Sequence, residues 1–132
     1  MKINRQQALE IAETFRDLSV ALGDYRFKNW SKLTPGKRTQ IENIEWTLLN
    51  YSSDFITTAV RINLDNLQSD LKAIKKSTAD AKKAIRSINK IKDVINVATS
   101  VAVLGGAIAS QNPSAILAAA NDLITTTKKL SN

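Results

Sequence analysis

Histidine and cysteine are both absent from this chain, so any chemistry it performs must come from carboxylates, amines, hydroxyls and rings. Without histidine, no side chain has an ordinary pKa near neutrality. Without cysteine there is no thiolate nucleophile, disulfide or soft-metal ligand. Glu10, Glu13 and Asp17 share one side of a helix by their i, i+3, i+7 spacing, and Glu42 and Glu45 form an i, i+3 pair. Carboxylate metal centres in helical bundles normally add Glu-x-x-His, which this chain cannot supply. The sequence has no phosphate loop, dinucleotide fingerprint or nucleophile elbow. No catalytic, cofactor-binding or metal-ligating residue is assigned, and the chain reads as a non-enzyme.

The amines carry a clearer pattern. Between positions 72 and 92, Lys72, Lys75, Lys76, Lys82, Lys83, Arg86, Lys90 and Lys92 accompany a single acid, Asp80. The rest of the chain balances at 11 cations and 11 anions, so the whole +7 excess sits in this block. At 100° per residue, Lys72, Lys75, Lys76, Lys83, Arg86 and Lys90 fall within one arc of ~100°. Such a stripe suits phosphates or anionic headgroups. Seven of the eight cations are lysine, however, the solvated point charge and not the bidentate arginine, and a solvated helix face is the favoured account of them.

Two further groups are candidates for contact. Tyr25, Phe27 and Trp30 alternate with Arg26, Lys28 and Lys32 in an expected loop over 24–33, either as a stacking or interfacial surface or as rings folded over the open end of a core. Between Asp93 and Asp122 lie 28 uncharged residues, read as an apolar hairpin over 94–109 and 114–124. Small residues ladder along it at Ala98, Ala102, Gly105 and Gly106, with Ala115 and Ala119 placed to face them and let two backbones approach closely. Each arm is short against the ~20 apolar residues of a membrane-spanning helix.

Helices must position all of these. Apolar residues at Ala8, Ile11, Phe15, Leu18 and Leu22 predict a first helix over Asn4–Leu22, stopped by Gly23. Thr34-Pro35 starts a second, with Ile41, Ile44, Leu48, Ser52, Phe55, Ala59 and Ile62 inside. A phase slip places a break at 63–66, with Asp65 as a cap. A long third helix follows a heptad seam at Leu67, Leu71, Ile74, Thr78, Ala81, Ile85 and Ile88, then shifts its apolar face to Ile91, Ile95, Ala98 and Ala102. Ser77 with Asp80 fits a capping-box pattern, which leaves open a kink or break near 77. Beyond Val101 this helix is apolar nearly all round, which implies burial on every side or lipid. Asn112-Pro113 begins the last helix, with Ile116, Ala120, Leu123, Thr127 and Leu130 inward and Thr125–Thr127 weakening its end. The fold expected is one all-α domain over 1–132, an antiparallel up-down bundle of about four helices ending in a short apolar hairpin.

In layout, residues 65–130 resemble the alpha-helical pore-forming toxins, through hydropathy and not through a motif, in a chain much shorter than theirs. The resemblance implies a membrane-inserting hairpin. From the residues themselves the leading expectation is a non-enzymatic bundle that binds a protein partner or itself. A membrane-associating protein using the hairpin and its basic flank is the alternative, with an anionic membrane surface as partner. Nucleic acid held without base specificity by the lysine stripe is the least favoured. The polar start, MKINRQQALE, lacks the apolar run of a secretory signal, so a cytoplasmic location is favoured.

Overall fold

The computed structural model describes residues 2–57, 62, 64 and 66–130. These residues are helical throughout their regular structure: α1 (Arg5–Lys28), a 3₁₀ turn (Trp30–Lys32), α2 (Pro35–Thr57), α3 (Leu67–Ser87), α4 (Ile91–Ala109) and α5 (Pro113–Leu130), with no strand among them. Asn4 and Gln7 form a reciprocal capping box at the start of α1, each side chain accepting from the other's backbone N–H at 2.8 and 2.9 Å. Thr34 accepts from Lys37 N at 3.2 Å ahead of Pro35, as its spacing predicts. Asn66 caps α3 through Ser69 N; the expected cap Asp65, and Ala59 of the expected α2 stripe, lie outside the described residues.

Three boundaries differ from the sequence expectation. The long third helix is two helices, because Ile88 and Lys90 take extended conformations where the apolar stripe changes phase. The seam cannot continue onto Lys92, so the chain turns and restarts, making five α-helices among the described residues. Ser77 and Asp80 do not kink α3; the Ser77 hydroxyl is buried and donates to Ile74 O at 3.0 Å within a continuous helix. Gly23 does not stop α1, which runs to Lys28. A Cβ on Gly23 would stand 3.1 Å from Glu45 Oε1, so this glycine makes room for a neighbour instead of ending a helix.

The helices close a ring of packed pairs, α1 on α2, α2 on α4, α4 on α5, α5 on α3 and α3 on α1, with α3 also touching α4. Ser19 Oγ donates to Glu45 O at 2.9 Å and Ser52 Oγ to Ala12 O at 2.7 Å, so α2 numbering falls as α1 numbering rises and the two are antiparallel. Glu10 with Lys75 and Asp17 with Lys82 set α1 and α3 parallel. Leu71, Ile74, Thr78, Ala81 and Ile85 of the seam are buried as their heptad spacing predicts. The α4–α5 link is only Ser110–Asn112, turned by Gln111 at φ 60, the left-handed position that often ends a helix.

At the centre, Phe15 meets Phe55 edge-on at 5.1 Å, and Tyr51 stacks on Phe55 at 6.1 Å. Gly105 of α4 covers these rings. A Cβ there would lie 2.5 Å from Tyr51 Cδ2 and 2.9 Å from Phe15 Cε2. Gly105→Ala is therefore expected to cost about 1–3 kcal/mol by overpacking, although alanine is the better helix former. At Gly106 the added atom would meet only Tyr51 Oη, at 3.2 Å, so Gly106→Ala should be neutral or gain up to about 1 kcal/mol. Urea denaturation of the two variants checks the contrast.

Candidate functional site

The segment read from sequence as an aromatic loop is the last turns of α1 and the 3₁₀ turn, and its three rings do not act together. Tyr25 points inward, 7% exposed. Its hydroxyl is buried without a hydrogen-bond partner, and burial raises the phenol above its ordinary pKa of 10.0. Phe27 and Trp30 point outward, 67% and 45% exposed, and stack on each other at 6.2 Å. Arginines close both ends of this stack: Arg26 lies 4.7 Å over Phe27, and Arg38 4.3 Å over Trp30 while donating twice to Trp30 O, at 2.7 and 3.1 Å. The rings are thus exposed yet held in place.

Arg26 is anchored in turn. Its Nε donates to Glu45 Oε2 at 2.7 Å and its Nη2 to Glu45 Oε1 at 3.2 Å, with Glu42 at 3.5 Å. The hydrogen bonds to Glu45 raise the arginine's pKa against the opposing effect of burial, and the charges of Glu45 and Glu42 add to them. The Glu42/Glu45 pair therefore serves an arginine clamp across α1 and α2. Among the described residues no acidic group is gathered as metal ligands would be.

The stack sits at one end of a longer apolar strip. Leu9, Val20 and Phe27 are spaced 11 and 7 apart, which puts them within ~20° on the outer face of α1. On α2, Trp46 and Ile56 are also exposed, ten residues and hence ~80° apart about the helix axis. The antiparallel register places Val20 level with Trp46 and Leu9 level with Ile56. The strip runs ~27 Å along α1. Trp46 is 61% exposed and Val20 52%, so both tryptophans of the chain stand on or beside this face. Arg16, Glu13 and Glu42 are exposed along it, giving it both signs of charge.

The basic stripe is exposed but shorter than its sequence spacing implies. Lys72, Lys75, Lys76, Lys83 and Arg86 are all exposed on α3, whereas Lys90 lies past the break, ahead of α4. Lys75 pairs with Glu10 at 3.3 Å and Lys76 with Asp80 at 3.1 Å. In the hairpin Ala98, Gly105 and Ala119 are buried and Ala102, Gly106 and Ala115 half-buried. The glycines open towards Tyr51 of α2, not towards α5. α4 is not buried all round, since Val103 is 59% exposed. By starting at Ile91 it reaches 19 residues and is long and apolar enough to cross a membrane, with 44% of that window buried inside the fold.

No protein-family model matches this chain, and no curated protein or solved structure matches it either. Sequence reasoning passed over Trp46, Val20 and the Arg26–Glu45 clamp. A signal for the first two was present: each falls off the apolar stripe of its own helix, where a large apolar side chain has no core to enter.

Two expectations follow from the clamp and from Tyr25. Arg26→Ala strands the nearly buried Glu45 carboxylate and should cost on the order of 3 kcal/mol, while adding Glu45→Leu should recover most of that loss in a double-mutant cycle. Tyr25→Phe removes an unpartnered hydroxyl and should leave stability within about 1 kcal/mol of the parent or above it. A phenol with a raised folded pKa leaves stability intact below its unfolded value and erodes it as pH climbs beyond; thermal melts above pH 10.0 should show that erosion in the parent and less of it in Tyr25→Phe.

Proposed function

We propose that this chain is a non-enzymatic binding protein that acts through the outer α1·α2 face, with a second copy of itself as the first partner to test. The observation that carries the reading is the exposed Phe27–Trp30 stack, which arginines cap at both ends, with Val20 and the second tryptophan, Trp46, exposed on the same pair of helices. Aromatic anchors that lose little freedom on contact are what interface hot spots use. The mixed charges along the strip support a protein over a polyanion. They also suit two-fold pairing, where Arg16 of one copy meets acids of the other. For the chain path we propose the alternating up-down order, carried over five helices within one domain. The antiparallel α1/α2 and parallel α1/α3 side-chain pairs support it.

A second reading, membrane association, is favoured by the length and apolarity of α4 and by exposed Val103 and Leu117. Against it, Val94, Val97, Val101, Leu104 and Ile108 of the same helix are core, so insertion must dismantle the fold. Nucleic acid is supported only by the lysine stripe, which spends Lys75 and Lys76 on acids.

Sedimentation velocity over a wide concentration range tests the leading reading. Val20→Asp with Trp46→Asp should leave stability within about 1 kcal/mol, both sites being exposed, and should abolish the rise in mass seen for the parent. Association that survives both substitutions refutes the α1·α2 face. A parent that stays monomeric while floating with anionic vesicles favours the membrane instead.

A further inference from the structure

On the opposite side of the molecule, α3 and α5 leave a groove of ≈ 410 Å³ that the first reading does not use. The volume falls within the range of about 300–1,000 Å³ usual for small-molecule sites. Half-buried Ile88, Ile124 and Leu130 give it an apolar floor, and Lys76, Lys83 and Lys128 stand around it. The one acid among the described lining residues, Asp80, is already bound to Lys76 at 3.1 Å. Lys83 makes no ion pair among the described residues, whereas Lys75, Lys76 and Lys82 of the same helix each do. Lys76 and Lys83 lie seven apart, on the edge of α3 nearest the groove, so their ammonium groups can reach over its mouth while their stems lie along the wall.

We propose that this groove binds a free single-chain anionic amphiphile, its acyl chain on the Ile88/Ile124/Leu130 floor and its acidic head between Lys83 and its neighbours. An apolar floor with no cations above it would take any apolar molecule; a cationic rim with no floor would take any anion. The two together select a molecule with both parts. From Lys76 to Ile88 the groove follows α3 for ~18 Å, a length that head and chain together would share. Among the described lining residues the charge is uneven in the right sense, with three cations and one acid, Asp80, which is paired with Lys76.

Isothermal titration with laurate, kept below micelle formation, tests this on the intact chain. Saturable one-to-one binding is expected, with no comparable binding of dodecyltrimethylammonium, which has the same chain and the opposite charge. Lys83→Glu should weaken laurate roughly tenfold, the scale of one charge-assisted hydrogen bond lost. Lys72→Glu, on the same stripe but outside the groove, should change it little. Both positions are exposed, and circular dichroism confirms that each variant is folded. Equal binding of the two detergents, equal losses in the two variants, or flotation with anionic vesicles without uptake of monomeric laurate would each overturn the proposal, the last by moving the cationic face to a bilayer surface.

Discussion

The absence of a single Cβ at Gly105 lets three helices share one set of rings. Phe15 of α1 and Phe55 of α2 are fully buried and meet edge to face, and Tyr51 lies flat against Phe55. Their combined bulk leaves room above them only for bare backbone, which α4 provides. Close packing of this sort fixes where α4 stands relative to the α1·α2 pair. α5 is then confined by a three-residue link turned at Gln111, and α3 is confined by α1 and α5 on either side. The strip on one side of the molecule and the groove on the other are both surfaces of helices held by this arrangement.

Charge divides the molecule in a way that packing alone does not. Glu10 and Asp17 on α1 reach Lys75 and Lys82 on α3, so part of the cationic block is used to join two parallel helices. Such exposed pairs contribute little stability individually. Their effect is on distribution: Lys75 and Lys82 are matched by α1, while Lys83, on the groove, makes no ion pair among the described residues. On the other side, Arg26 is matched by Glu45 and Glu42, and the outer α1·α2 face is left near neutrality.

The sequence made the helical character, the capping residue Thr34, the heptad seam of α3 and the turn at Asn112-Pro113 legible, because each rests on local spacing or backbone chemistry. It did not reveal what the glycines are for. Gly23 has the ordinary signature of a helix stop, and only Glu45, 22 positions away in sequence, explains why α1 passes through it. Gly105 and Gly106 read as part of a ladder against α5, but the neighbour that needs the space is Tyr51. The aromatic segment differs. Alternation of rings and cations was visible, yet an expected loop hid the helical phase that sends Tyr25 inward and Phe27 outward. Long-range partners decided what the glycines are for, and periodicity carries no information about them; the phase of Tyr25 and Phe27 follows from the Ala8–Leu22 stripe once α1 runs on to Lys28.

The placement of the tryptophans has an optical consequence. Trp30 and Trp46 are the chain's two indoles, and both are about half in water in the folded state. Intrinsic fluorescence is therefore a weak gauge of unfolding for this protein, since neither indole leaves a dry interior when the chain opens. It is a sensitive gauge of anything that covers the outer α1·α2 face, because such cover would move an indole from water into contact. Trp30, pressed between Phe27 and the Arg38 guanidinium, should also respond separately from the unstacked Trp46. The chain thus carries its own label on one face and none on the other, so events at the lysine-lined groove would pass almost unseen by the same light.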